Sequence, residues 1–131
     1  MLSHFCIGIT DFERALAFYT PVLAAAGLVQ KYNVPARSFA GWIKPGQEHP
    51  VFFITTPFDG AASSPGNGNM IALEAAGRAV VDQVDAAAIA HGGRCEGSPG
   101  LRPHYHPDYY GAYFRDPDGN KLCICCHAAE N

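Results

Sequence analysis

The sequence predicts an α+β domain made of two successive units, each a strand, a helix and then further strands. Three observations carry that prediction. The opening segment alternates in character, a helical apolar spacing follows it directly, and the second half of the chain repeats the same order of elements.

The alternation places Phe5, Ile7 and Ile9 on one side of an extended chain and His4, Cys6 and Gly8 on the other. Such a strand packs one face on helices and turns a small or polar face toward something hollow or wet. Thr10-Asp11-Phe12-Glu13 has the form of a capping box, with Thr10 as N-cap. Phe12, Leu16, Tyr19, Val22, Leu23 and Ala26 then recur at helical spacing until Gly27, and Pro21 is expected to bend that helix or end its regular part early. Strands are expected at 28–33, 38–43 and 51–55, separated by Pro35 and by Lys44-Pro45-Gly46.

The Gly- and Pro-rich stretch from Pro57 to Gly68 reads as a loop between halves. Beyond it a strand is expected at 69–75, and a helix at 78–91 that Gly92-Gly93 ends. A short strand at 94–96, a loop at 98–107, and strands at 109–115 and 121–126 complete the order. Asp116-Pro117-Asp118-Gly119 suits a type I turn, with Pro second and Gly free to take positive φ.

A chain of 131 residues organises one domain, and 48% hydrophobic with 16% charged residues is ordinary for a globular fold. Nine basic and twelve acidic residues, without a basic run, argue against a nucleic-acid partner. No apolar run approaches the roughly twenty residues of a membrane span, and the first residues do not resemble a signal peptide. Five cysteines, three of them at Cys123, Cys125 and Cys126, match neither a disulfide framework nor a zinc-knuckle spacing. A cytoplasmic protein with free thiols is the expectation.

Four features then stand together: a histidine in the first strand, the run "DFERALAFY" (Asp11–Tyr19), the Gly-rich approach to the second half, and "DPDGN" (Asp116–Asn120). With them the chain resembles the vicinal oxygen chelate superfamily of glyoxalase I, bleomycin-resistance proteins and extradiol dioxygenases. The likeness runs from Leu2 to His127, and the stretch from Pro99 to Lys121 is similar to a branch of small glyoxalase-like proteins. It implies one domain over 1–131 of paired βαβββ modules, about 1–56 and about 67–127, forming an open cup. It also implies a homodimer and a small-molecule ligand.

Enzymes of the superfamily hold a divalent metal with His, His or Gln, and Glu from the first, fifth and eighth strands. Carried over by position, the resemblance gives His4, Met70 and Cys123. A thioether is a poor ligand for a hard or borderline cation, and a thiolate suits zinc rather than iron, magnesium or manganese. The expectation is therefore a binding protein without the usual metal triad and without a cofactor. The alternative is a lyase, isomerase or dioxygenase whose zinc or iron is held by His4, Cys123, and Glu74 or a loop histidine (His104 or His106). Without metal, His4 is a hydrogen-bonded cup residue.

The ligand contacts expected in such a cup are His4, Met70, Arg102, Tyr105, Tyr110 and Cys123. Arg102 reads equally as the partner of an anionic ligand and as a loop charge. Of Trp42, Tyr105, Tyr109, Tyr110, Tyr113 and Phe114, about half should face the helices, because neighbours on a strand alternate. Cys6, Cys123 and Cys125 share the cup side, either as reactive thiols or as small side chains filling space.

Overall fold

The structure is a computed structural model describing residues 1–130. It contains β1 (His4–Gly8), α1 (Phe12–Ala25), β2 (Val29–Val34), a short helical turn (Pro35–Arg37), β3 (Phe39–Ile43) and β4 (Val51–Thr55). The second half contains β5 (Ile71–Glu74), α2 (Arg78–Ala90), β6 (Arg94–Leu101), β7 (Tyr110–Arg115) and β8 (Lys121–Cys126). Two mixed four-stranded sheets result, ordered β1-β4-β3-β2 and β5-β8-β7-β6. In each the first strand pairs in parallel with the last and the remaining pairs are antiparallel. The predicted α+β architecture of paired βαβββ units is the one observed.

Strand alternation divides each sheet into a helix face and an open face. Ile7, Ala40, Trp42, Phe52 and Ile54 of the first sheet, and Ala112, Phe114, Leu122, Ile124 and Cys126 of the second, join both helices in one buried cluster. α1 contributes Phe12, Ala15, Phe18, Tyr19, Val22 and Leu23, and α2 contributes Val81, Val84 and Ala88. The Phe18 ring meets Phe114 edge-on at 6.2 Å, so α1 touches the sheet of the other module. A single core spans both units.

Several local expectations need correction. Asp11, not Thr10, caps α1, its Oδ1 accepting from Arg14 N at 3.1 Å. Thr10 N instead donates to Asp118 Oδ1, which draws that residue out of the capping position. Pro21 lies within α1 and the helix continues to Ala25. β5 begins at Ile71, after Met70. β6 runs on to Leu101 despite Pro99, because it is an edge strand whose outer side needs no donor, and its register shifts twice. No helix among the described residues is long and apolar enough to cross a membrane.

Candidate functional site

The register of the second sheet sets its open-face side chains in rows. Met70, just before β5, lies level with Lys121 and Arg115; Ala72, Cys123 and Tyr113 form the next row, and Glu74, Cys125 and Gly111 the third. Cys123 is fully buried, with the Tyr109 side chain packed over it. Glycine at 111 permits this: a Cβ there would come within 2.9 Å of Tyr109 Cε1. Tyr109 Oη reaches Tyr113 Oη at 2.9 Å and Cys123 Sγ at 3.5 Å.

Burial raises the pKa of the Tyr109 and Tyr113 phenols, so both stay protonated at neutral pH. Burial, together with the neighbouring Cys123, pushes the Cys125 thiol up to about 11. These groups are neutral hydrogen-bonding partners rather than nucleophiles. The space-filling reading therefore fits Cys125, and Cys123 is likewise buried beneath Tyr109.

Around this phenolic floor is a hollow of ≈ 600 Å³ lined by Asn67, Gly68, Asn69, Met70, Tyr105, Tyr109, Tyr113, Arg115 and Lys121. A larger hollow, ≈ 810 Å³, lies against the first sheet beside Cys6, Gly8, Arg37, Phe39, Thr55 and the 57–64 loop. Size favours the second, but the first gathers three phenols, two amides and two cations with no carboxylate in its lining, and it is the better candidate for recognition.

The expected site residues do not all meet. Met70 and Tyr105 line the hollow, and Cys123 lies on the same face beneath Tyr109. Tyr110 faces the other way: its hydroxyl donates to Asp82 Oδ1 of α2 at 2.6 Å, and the Arg78 guanidinium lies over its ring. Strand parity explains this, since Gly111 and Tyr113 take the open face of β7. Arg102 folds back onto β6, donating to the carbonyls of Ser98 (2.8 Å) and Gly100 (2.9 Å), with its guanidinium 5.6 Å from the Tyr113 ring centre. Its fork serves the backbone.

His4 belongs to the first sheet, where it bonds Ser3 Oγ at 2.9 Å and meets the Phe53 ring. His106 Nε2 lies 2.9 Å from His127 Nδ1, and its own Nδ1 accepts from Asp108 N. His104 stacks on Tyr105, and Glu74 is exposed. Among the described residues no three His, Cys, Asp or Glu side chains converge to hold a metal ion. The implied divalent metal does not fit this donor set. At the positions the resemblance implies for ligands, a thioether and a thiol hydrogen-bonded beneath a tyrosine offer neither imidazole nor carboxylate.

Sequence reasoning passed over Lys121 and Asn69. Lys121 shares parity with Cys123, a signal sufficient to place it on the open face. Asn69 lies outside any strand and carries no such signal.

The family model of the Glyoxalase/Bleomycin resistance protein/Dioxygenase superfamily matches residues 1–124. Among solved structures, a glyoxalase/bleomycin resistance protein from Albidiferax ferrireducens T118 is 36% identical. The match covers 98% of this chain and 99% of that one, with a TM-score of 0.83. A glyoxalase-related enzyme from Fulvimarina pelagi (19% identity, 96% and 87% covered, TM-score 0.73) shares the fold. So does a glyoxalase/bleomycin resistance protein/dioxygenase family enzyme from Burkholderia phytofirmans PsJN (20%, 96% and 98%, 0.70). No curated protein matches the chain.

Proposed function

Because the chain belongs to the Glyoxalase/Bleomycin resistance protein/Dioxygenase superfamily, we propose that it binds a small molecule in the hollow of its second sheet without the superfamily's usual metal triad. One observation carries this reading. The fifth- and eighth-strand positions hold Met70, an exposed thioether, and Cys123, a buried thiol bonded to Tyr109. Neither offers a hard cation the oxygen or imidazole donors it requires. The hollow nevertheless keeps phenols, amides and charged groups around an apolar wall, the composition of a recognition site.

We propose further that the protein is cytoplasmic and works as a homodimer. Exposed Tyr32 and half-buried Phe39 and Phe53 form an aromatic face on the first sheet that a second copy would cover. Elemental analysis of protein purified without chelator tests the metal-free reading. Less than stoichiometric zinc and iron is expected, and one tightly held ion per chain lost on His4→Ala or Cys123→Ala would overturn it. A screen of thermal stabilisation by small aromatic and α-keto compounds tests binding, since a ligand of the native state raises its stability.

A further inference from the structure

Lys121 projects over the open face with its ammonium 5.6 Å from the Tyr113 ring centre and lines the hollow beside Met70. No carboxylate lies within ion-pair distance of it among the described residues. The neighbouring acid, Glu96, is already engaged by Arg115 at 2.7 Å and by Arg94 at 3.9 Å. Lys121 is therefore a half-buried cation with no ion pair of its own, attracted to Glu96 only at longer range and resting on the Tyr113 ring. Such a charge is best satisfied by an anion brought from outside.

The phenols add directed donors. Tyr109 and Tyr113 have two hydroxyl protons between them and one mutual hydrogen bond, which leaves a proton for an acceptor in the hollow or for Cys123. The remaining wall mixes the amides of Asn67 and Asn69 with two apolar surfaces, Met70 and the Tyr105 ring. The Tyr105 ring stands edge-on to Tyr109 at 5.0 Å, and the Met70 thioether is 43% exposed. Sulfur against a ring edge is a favourable contact.

From this arrangement, and resting on the binding role proposed above, we infer that the ligand is an aryl carboxylate. Its carboxylate lies against Lys121 Nζ and the Tyr113 hydroxyl, and its ring between Met70 and Tyr105. One free ammonium with neutral phenols balances a single negative charge. A dianion would require a second cation, and Arg115 is already held by Glu96. A neutral ligand would leave Lys121 without an ion-pair partner, and a cationic one would be repelled.

The chain has two methionines, so carbon-13-labelled methionine methyls give one signal in the hollow (Met70) and a control at the terminus (Met1). Benzoate is expected to shift the Met70 signal saturably and leave Met1 unmoved, binding at least about tenfold more tightly than benzyl alcohol. Lys121→Gln should erase that advantage while benzyl alcohol binding is unchanged, and Tyr113→Phe should reduce it in part. Lys121→Met, which keeps the aliphatic stem, repeats the charge test should the glutamine variant fold poorly. Equal binding of the two probes, or a preference that survives loss of the lysine charge, overturns the carboxylate assignment and leaves the binding role standing. If benzoate at saturation leaves Met70 unmoved, the assignment also falls. The binding role itself then fails only if the thermal screen finds no stabilising compound.

Discussion

The hydroxyl of Tyr19, in the first helix, donates a 2.5 Å hydrogen bond to Oδ2 of Asp116, ninety-seven positions later in the turn between β7 and β8. Asp116 also accepts from Asn120 Nδ2 and from the backbone N–H groups of Asp118 and Asn120. The same turn sends Asn120 Nδ2 to the Gly8 carbonyl and Asp118 to Arg14 and the Thr10 N–H. "DPDGN" is therefore both a tight turn, with Gly119 at φ +91°, and the fastening between the two modules.

Tyr19→Phe keeps the buried ring and removes only the donor. It is expected to lower stability by about 1.5–3 kcal/mol, the range for a buried hydrogen bond to a charged group. The retained Asn120 bonds hold the loss toward the lower end. Urea unfolding of the two proteins measures the difference, and an unchanged midpoint would show that the contact contributes nothing.

Thiol chemistry reports on the Tyr109 cover. Cys6 and Cys95 are exposed, whereas Cys123, Cys125 and Cys126 are buried. In the native protein an aromatic disulfide reagent should titrate two thiols per chain and reach all five only on denaturation. Gly111→Ala sets a Cβ against Tyr109 and lifts its ring, at a cost of about 1–3 kcal/mol. A third thiol, Cys123, should then react without global unfolding.

Alkali should unfold the protein in step with phenol ionisation. Burial raises the pKa of Tyr19, and the adjacent Asp116 carboxylate raises it further. Tyr109 and Tyr113 are raised by burial, and Tyr110 by its bond to Asp82. In the unfolded chain these phenols ionise near about 10. A folded-state pKa above that value contributes stability that is fully present below about pH 10 and is lost as pH rises beyond it. Phenolate absorbance and far-ultraviolet circular dichroism recorded together should show these four tyrosines ionising as the fold is lost. Ionisation of Tyr19, Tyr109 and Tyr113 in an intact fold would contradict their burial.

Periodicity made most of the fold legible. The Phe5-Ile7-Ile9 alternation predicts the helix face of β1, and those side chains do pack into the core, because alternation is a local property. The length of β6 is not legible in the sequence, since Pro99 with Gly97 and Gly100 looks like a loop until an edge position excuses them. At the site, the resemblance names Met70 and Cys123, and the β5–β8 register sets the row of each on the open face. Tyr110 was misplaced because two adjacent tyrosines look equivalent until the β7–β8 register fixes which one faces out. The Tyr109 cover over Gly111 and the fastening role of Asp116 depend on residues that meet only in the folded chain, so no local pattern encodes them.

The shared core has an evolutionary corollary. Phe18 of one repeat rests on Phe114 of the other, and the fastening turn ties both ends. Either repeat excised by itself would expose the part of its helix that rests on the other, the Phe18 face among it. If the present chain arose by duplication, its ancestor would have needed a twin molecule to supply the missing half. Excised halves of today's protein should accordingly remain unstructured until mixed.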